Sequence, residues 1–469
     1  MNQRTGFALE LSQVKYLSTS DHVMDSILNV TASGGEVPAE AAEVLLVDCS
    51  ESMGWAPTKI AAAKRATGAA IDVLRDGVWF GVVQGTEFAT MVYPKHAALV
   101  RADPRTRAEA KAMTSKLIAG GRTAMSTWLT LAKRLLDAHP DAVRHAVLLT
   151  DGINEAESAE RLTEVLNECE GHFVCDARGI GDDWNPAELR RIAEVLRGTA
   201  DAVVTDAELP AHFERMIQAA MVKTVQELTL RITTMPFTKL RFVKQVHPAE
   251  VDLTDRCVAA GRNTLELSTG SWGQEYREYH VCLEVDLAGK KMETDIQLGR
   301  VSVVEVAGGV RTPGEPVPII GWVTDFAELS SQLDRKVERY TVQGELGRAV
   351  RAGWDAFEAG DRETAAEKWG LAVRLATELG NETILKTLWP LVDVEDAAAG
   401  LVRVKDQVRP RDGFSAVLRS NVSEFAPDSD VGRVVPGNAG GADRKCPQCG
   451  RIAPRTFAVC EGCGRRFTS

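Results

Sequence analysis

The chain has 469 residues, 44% of them hydrophobic, and a formal net charge of −11. This length exceeds that of a single domain, and the hydrophobic content is sufficient for several cores. The negative charge argues against nucleic acid or an anionic membrane surface as the main partner. No apolar run reaches the length of a membrane span, and residues 1–6 do not begin a signal peptide. We therefore expect a cytoplasmic protein.

The chain opens with segments that resemble β-strands. Residues 7–11 and 27–32 are rich in β-forming side chains with partial alternation. A turn-rich stretch with Gly and Pro follows at 33–38. We assign residues 1–35 to the first strands of an antiparallel β-sandwich.

Strands and helices alternate from about 40 to 222, which is the pattern of a parallel or mixed sheet with helices on both faces. The sequence predicts strands at 43–48, 78–84, 88–93, 145–150, 172–177 and 202–205. It predicts helices at 58–75, 105–118, 124–138, 156–168, 187–197 and 209–222. We therefore expect residues 40–222 to form a doubly wound α/β domain.

The periodicity changes to two from 224 to 308, as in the alternating segment 228–232. Several short strands with turns between them are typical of an antiparallel sandwich. The strands of 1–35 are of the same type. We therefore predict one sandwich, made of 1–35 and 224–308, with the α/β domain inserted between its strands.

A helical region is predicted from 325 to 408, where apolar residues recur at helical spacing. Gly360 and Asp361 indicate the end of one helix and the start of the next. The pair resembles a tetratricopeptide unit, but a single pair is a weak signal, and an ordinary helical hairpin is the favoured interpretation. Residues 426–443, rich in Gly, Pro, Asp and Ala, are predicted to be a flexible linker.

Two predicted strands of the α/β domain are followed by carboxylates. Asp48 ends the apolar run 44–47 and begins the pattern Asp48-x-Ser50-x-Ser52, and Asp151 follows the run 146–150. Parallel strands that end in this way bring both Asp residues to one edge of the sheet. Hydroxyl and carboxylate oxygens are ligands for Mg²⁺ or Mn²⁺ rather than for zinc. Taken singly, the serines are also explained as helix caps and Asp151-Gly152 as a turn.

Asp48-x-Ser50-x-Ser52, the stretch 120–124 (GGRTA) and the stretch 149–152 (LTDG), in this order on an alternating α/β chain, resemble a von Willebrand factor type A domain with a metal-ion-dependent adhesion site. The resemblance covers about 180 residues and departs from the family at Glu51, which is often Gly there. It implies a metal site for Mg²⁺, or for Mn²⁺ or Ca²⁺, and the implied ligands are Asp48, Ser50, Ser52, Thr123 and Asp151.

The resemblance also implies how such a site works. The hydroxyls of Ser50, Ser52 and Thr123 hold the ion, and Asp48 and Asp151 hold it directly or through water. Few anionic ligands leave the ion under-neutralised, so an open coordination position attracts a carboxylate from an Asp or Glu of a partner protein.

Four of the nine cysteines cluster at the end of the chain. Two C-x-x-C-G motifs predict a zinc ribbon over 444–469, with Zn²⁺ held by Cys446, Cys449, Cys460 and Cys463. Four thiolates close the tetrahedron, so the site is expected to be structural. An iron site of rubredoxin type uses similar motifs, but the short separation favours the ribbon.

The sequence shows no phosphate-binding loop, no G-x-G-x-x-G after a strand and no nucleophile elbow. We therefore expect a non-enzymatic binding or scaffold protein rather than an enzyme. The resemblance implies work in multiprotein assemblies, as in intracellular bacterial proteins of this family. The alternative is an accessory subunit of an AAA+ ATPase of the MoxR or chelatase type. A metal-dependent phosphoesterase is disfavoured because a second metal cluster and a placed general base are missing.

Overall fold

In the computed structural model, the described residues are 6–33, 35, 38–55, 57–181, 184–203, 207–307, 310–326, 329, 334–423, 444–445 and 452–453. The first strands are β1 (Gly6–Gln13), β2 (Tyr16–Leu17) and β3 (Val23–Ser33). None of the described helices combines the length and apolar character needed to cross a membrane.

An α/β unit follows from 41 to 221. Its strands are β4 (Ala41–Asp48), β5 (Trp79–Gly85), β6 (Ala89–Tyr93), β7 (Val100–Arg101), β8 (Val143–Thr150), β9 (Val174–Ile180) and β10 (Arg197–Val203). Its helices are α1 (Ser52–Trp55), α2 (Pro57–Asp72), α3 (Pro104–Thr114), α4 (Met125–Asp137), α5 (Ala159–Cys169), α6 (Pro186–Val195) and α7 (Leu209–Met221). The predicted helices and strands of this segment all occur, with bounds shifted by a few residues.

The sheet of this unit has the strand order β10-β9-β8-β4-β5-β6, and β7 also pairs with β5. The five strands from β10 to β5 are parallel, and β6 and β7 run antiparallel to β5. The chain passes from β4 to β5 on one side and later returns to β8 on the other side. The order therefore reverses between β4 and β8, and open α/β sheets bind ligands at such a switch point.

Helices cover both faces of this sheet, which explains why every residue of β4 is buried. Side chains of α4, α5 and α6 pack on one face, and side chains of α2, α3 and α7 pack on the other. A strand that is buried on both faces reads as a continuous apolar run rather than an alternating one. This burial is the physical origin of the apolar runs at 44–47 and 146–149.

The strands after the α/β unit form two further sheets. They are β11 (Glu227–Thr234), β12 (Thr238–His247), β13 (Val251–Asp252), β14 (Val258–Gly261), β15 (Thr264–Ser268), β16 (Tyr276–Val285), β17 (Thr294–Ala307), β18 (Val310–Pro313) and β19 (Val317–Val323). One sheet has the order β1-β3-β16-β12-β13, and the other has the order β14-β15-β11-β17-β19-β2, with β18 also pairing with β17. Buried side chains of both sheets share one hydrophobic cluster.

The N-terminal strands thus pair with strands that lie more than 200 residues later in the chain. β3 lies between β1 and β16, with Ser26 opposite Val281, and β2 pairs with the end of β19. The strands also continue beyond 308, where the sequence predicted the sandwich to end. β19 is an internal strand in spite of Pro318 and Gly321, two residue types that weaken a strand prediction.

The helices of the following part are α8 (Arg335–Glu358), α9 (Arg362–Leu379), α10 (Glu382–Leu388) and α11 (Pro410–Arg419). The predicted helical region 325–408 is therefore not helical throughout. Strands β20 (Val392–Asp396) and β21 (Leu401–Val404) form a hairpin inside it, and α11 begins after its predicted end.

This part packs on the α/β unit. The rings of Trp184 and Phe414 are 5.0 Å apart, and Arg419 forms an ion pair of 3.2 Å with Asp201 of β10. Buried residues of α8, α9 and α11 join the hydrophobic cluster that covers one face of the α/β sheet. The two parts therefore share a core.

The segment 425–469 forms a separate unit. Within it, the short strands β22 (Arg444–Lys445) and β23 (Ile452–Ala453) pair antiparallel. The predicted linker 426–443 and the four clustered cysteines lie outside the described residues.

Candidate metal centre

The two site carboxylates lie at the switch point of the α/β sheet. β4 ends at Asp48, and β8 ends at Thr150, one residue before Asp151. The strands are parallel, with Val47 opposite Leu149. Their carboxyl ends therefore meet at one edge, and both Asp side chains are fully buried there.

The serine hydroxyls connect these strand ends. The Ser52 Oγ donates to Asp151 Oδ1 over 2.7 Å, and the Oγ atoms of Ser50 and Ser52 are 3.0 Å apart. Asp48 Oδ1 accepts from the Ser50 backbone N–H over 2.8 Å. The Asp48-x-Ser50-x-Ser52 loop therefore turns back over the sheet edge and brings both hydroxyls to the second strand end.

Thr123 joins the same cluster from another loop. A Cβ placed on Gly152 would lie 3.3 Å from the Ser52 Oγ, 3.5 Å from the Thr123 Oγ1 and 4.0 Å from the Ser50 Oγ. Three hydroxyls therefore surround one point that any side chain at position 152 would fill. The structure brings together all the residues that the sequence predicted as ligands of this site.

Thr150 orients Asp48 and was not among the predicted site residues. Its Oγ1 donates to Asp48 Oδ2 over 2.5 Å and also accepts from the Gly152 backbone N–H over 3.2 Å. Burial raises the pKa of Asp48 to about 6, although the hydrogen bonds from Thr150 and Ser50 act in the opposite direction. A buried carboxylate with a raised pKa is one that a cation would stabilise.

The donor set fits a hard divalent cation. Two carboxylates and three hydroxyls supply only oxygen, which suits Mg²⁺ or Mn²⁺. The cluster itself contains only two residues of the His, Cys, Asp and Glu types, and among the described residues no group of three or more such side chains is arranged to hold a metal ion. The residues present therefore fit the ion that the motif implies.

Lys59 of α2 also reaches this cluster and was not among the predicted site residues. Its Nζ lies 2.8 Å from Asp151 Oδ2, and its side chain is largely buried. Gly181 makes room for it, because a Cβ at that position would lie 2.9 Å from the Lys59 Cε. The sequence feature that could have indicated this role is the position of Lys59 in the first turn of α2, shortly after the Asp48-x-Ser50-x-Ser52 loop.

Replacing Lys59 with Met is expected to tighten Mn²⁺ binding about tenfold, because one positive charge beside the ion is removed. In metal-free protein the same change leaves the buried Asp151 carboxylate without the positive charge of Lys59. We therefore expect a loss of stability on the order of 3 kcal/mol. Calorimetric Mn²⁺ titration and chemical denaturation measure the two effects. Arg65→Met, which removes an exposed charge from the same helix, is the control, and weaker Mn²⁺ binding by Lys59→Met would contradict the expectation.

The charged residues beside the motif do not enter the cluster of hydroxyls. Glu51 is exposed, and its backbone N–H donates to the Gly121 carbonyl over 2.9 Å. Arg122 lies 3.5 Å from the Glu155 carboxylate and donates to its backbone carbonyl over 2.8 Å. Arg122 thus ties the Thr123 loop to the loop that follows Asp151.

His145 lies five residues before the end of β8 and is a buried residue of the core. Its Nδ1 is 2.9 Å from Glu43, and its Nε2 is 3.1 Å from Asp176. Burial alone would lower the pKa of His145, but the two carboxylates raise it to about 10. The cluster is therefore a buried ion triad at the end of the sheet that lies away from Asp48 and Asp151.

Comparison with known proteins identifies the family of the α/β unit. Residues 42–202 match the family model for the von Willebrand factor type A domain. A comparison with curated proteins finds no match. Two solved structures resemble the chain in fold alone. The ArnB paralog VWA2 from Sulfolobus acidocaldarius is 14% identical, and the match covers 89% of this chain and 98% of the other with a TM-score of 0.55. The human COPII-coat protein Sec24c is 8% identical, and the match covers 83% of this chain and 58% of the other with a TM-score of 0.51.

A third solved structure is much more similar in sequence. It is described as von Willebrand factor type A from Catenulispora acidiphila, and it is 38% identical to this chain. The match covers 91% of this chain and 98% of the other, with a TM-score of 0.86. The chain therefore belongs to the von Willebrand factor type A family.

Proposed function

We propose that this is a cytoplasmic, non-enzymatic scaffold protein that binds a partner through a divalent cation at the candidate metal centre. The observation that supports the proposal is the convergence of Asp48, Ser50, Ser52, Thr123 and Asp151 around the space above Gly152. Domains of this family generally serve protein interaction and adhesion.

The charges of the cluster favour an anionic ligand. A bound divalent cation would contribute two positive charges and Lys59 a third, against the two negative charges of Asp48 and Asp151. The occupied centre would thus carry an excess positive charge, and hydroxyl ligands would not neutralise it. A carboxylate of a partner Asp or Glu matches this charge and the preference of Mg²⁺ and Mn²⁺ for oxygen.

The test is binding by the full chain in Mg²⁺ and in EDTA. Proteins captured by the immobilised chain in Mg²⁺ are identified, and their binding is then measured with purified components. We expect affinity that depends on the metal and that is lost when one Asp or Glu of the partner is replaced. Recovery of an AAA+ ATPase would assign the chain to an ATPase assembly. Binding that is indifferent to EDTA would overturn the proposal.

We also propose that residues 40–222 form an inserted domain that folds independently. The chain enters and leaves this segment at neighbouring points, because the backbone N–H of Ala39 donates to the Lys223 carbonyl over 2.9 Å. The pairing of β3 with β16 supports the assignment of 1–35 and the later strands to one antiparallel unit. This unit would carry the adhesion domain, and the helical part would add a further docking surface.

A structural zinc ribbon at 444–469 is proposed from the spacing of Cys446, Cys449, Cys460 and Cys463. The antiparallel pairing of 444–445 with 452–453 supports it, because the first C-x-x-C motif lies between these strands. A segment this short cannot bury enough surface to fold alone, so the metal would supply its folding energy.

The purified chain is therefore expected to hold one tightly bound Zn²⁺. Cys460→Ser should release the ion and unfold the ribbon while the rest of the chain, up to 423, keeps its melting transition. Elemental analysis and calorimetry measure these effects, with Cys257→Ser as the control, since Cys257 is a free cysteine just before β14 and outside the ribbon. One Zn²⁺ retained after loss of two of the four cysteines would contradict the assignment.

A further inference from the structure

Large apolar side chains are exposed around the candidate metal centre. In the described part of the α/β unit, those that are mostly exposed are Trp55 (72%), Phe88 (71%), Ile118 (77%) and Ile153 (56%). Each belongs to a different loop at the carboxyl edge of the sheet. We call these four residues the apolar rim.

Two members of the apolar rim stand beside predicted ligands in the chain. Trp55 ends the short helix α1, which begins at Ser52, and Ile153 follows Asp151 by two residues. Contacts bring the third member close, because a Cβ on Gly54 would lie 3.2 Å from the Ala119 Cβ, and Ile118 precedes Ala119. The segments that carry Trp55, Ile118 and Ile153 therefore each contain or contact a segment that supplies a predicted ligand.

Hydrogen bonds join the loops into one surface. The Gly120 N–H donates to the Cys49 carbonyl over 2.8 Å, and the Ala156 N–H donates to the Thr123 carbonyl over 2.9 Å. The Phe88 loop is held by Glu87, whose Oε2 accepts from the Arg122 N–H over 2.8 Å. The four side chains thus stand on a connected frame and not on separate loops.

Exposure of such side chains to water is unfavourable, and burial of each is worth roughly 1.5–3 kcal/mol. The other described large apolar side chains between 41 and 221 are buried or half-buried, and Val222, which follows α7, is 57% exposed. The concentration of the apolar rim around one polar cluster is therefore the kind of feature that marks a binding surface.

The charges on this surface restrict the partner further. Glu51, Glu87 and Glu155 lie on the same loops, and Arg122 is paired with Glu155. A partner segment with many acidic residues would meet repulsion from these carboxylates. A single carboxylate directed at the metal centre would avoid most of it.

We propose that the apolar rim and the metal centre together bind a peptide segment of a partner protein in which one Asp or Glu is flanked by large apolar residues. This rests on the proposed function of the metal centre. The carboxylate would occupy the open position of the cation, and the flanking side chains would pack on Trp55, Phe88, Ile118 and Ile153.

The experiment uses the full chain and four fluorescent peptides in Mn²⁺. The peptides carry a central Asp between Leu and Phe, a central Asn between Leu and Phe, a central Asp between serines, and a central Asp between glutamates. Anisotropy is expected to show at least about tenfold tighter binding of the first peptide than of the others. The double change Trp55→Ser and Phe88→Ser should weaken that binding about tenfold or more and leave Mn²⁺ affinity unchanged. Val258→Ser with Val310→Ser, two exposed apolar residues of the β-sheets, is the matched control.

The proposal would be overturned by equal binding of the Ser-flanked peptide, by preference for the Glu-flanked peptide, or by splitting of a dimer through the Trp55 and Phe88 changes, which would assign the rim to a second copy of the chain. Undiminished EDTA-sensitive binding by the double variant would exclude the apolar rim and leave the metal centre in place. Peptide binding that ignores Mn²⁺ and EDTA would overturn the proposed function as well.

Discussion

Replacing Asp48 with Ala is expected to weaken Mn²⁺ binding by at least about a hundredfold and to abolish metal-dependent capture of a partner. The substitution removes one of only two carboxylates in the cluster, and water cannot replace its charge. Thr123→Ala should act in the same direction with a smaller effect, because it removes a neutral ligand. Asp141→Ala, an exposed residue near the opposite end of β8, is the control.

Metal-free Asp48→Ala should remain folded and should lose less stability than the wild type as the pH rises from 3.8 through 6. Burial raises the pKa of Asp48 to about 6, above its ordinary 3.8, so the folded chain holds this proton more tightly than the unfolded chain. Stability from this group is therefore fully present below pH 3.8 and is lost as the pH rises through 6. The Asp48→Ala variant should lack that loss. Undiminished Mn²⁺ affinity in both Asp48→Ala and Thr123→Ala would show that the ion binds elsewhere.

Deleting residues 1–33 is expected to unfold the two sheets formed by the N-terminal and later strands. The deletion removes β3, which lies inside a sheet and buries Met24, Leu28 and Val30 completely. Burial of each such side chain is worth about 1.5–3 kcal/mol, so the loss approaches the whole stability of a typical domain, about 5–15 kcal/mol. It also leaves β16 without a partner on one side.

Hydrogen exchange should then show lost protection in β12 and β16, while a separate chain of residues 40–222 melts cooperatively, because the sheet face covered by α2, α3 and α7 keeps a core of its own. Deletion of 1–5, which precedes β1, is the matched control. A fragment of 224–323 that folds cooperatively without the N-terminal strands would contradict the expectation and the proposed insertion.

The metal centre shows which features of a site local sequence patterns can predict and which they cannot. Asp48 and Asp151 follow apolar runs, and such runs arise when both faces of a parallel strand are covered. The hydroxyl positions follow from the short loop after Asp48. The contact of Lys59 with Asp151 could not be predicted from the sequence, because it depends on how α2 lies across the sheet and on the space above Gly181.

The structural predictions that were incomplete or wrong in the later part of the chain have a common cause. The predicted sandwich ended at 308 and so did not include β19, where pairing with β17 and β2 and the burial of Ile319 and Val323 outweigh the weak strand preference of Pro318 and Gly321. The hairpin of β20 and β21 is likewise stabilised by tertiary packing, since Val392 and Val404 are buried in a cluster with the neighbouring helices.

The sequence by itself determined the α/β alternation, the family and the residues that end its central strands, because these depend on periodicity and on short motifs. Tertiary structure decided which distant strands pair, where Lys59 reaches, and that Trp55, Phe88, Ile118 and Ile153 share one surface. The physical reason is the distance along the chain between the residues that interact. Backbone preference and strand burial depend on neighbouring residues, whereas strand pairing and surface formation depend on contacts between distant segments that only folding brings together.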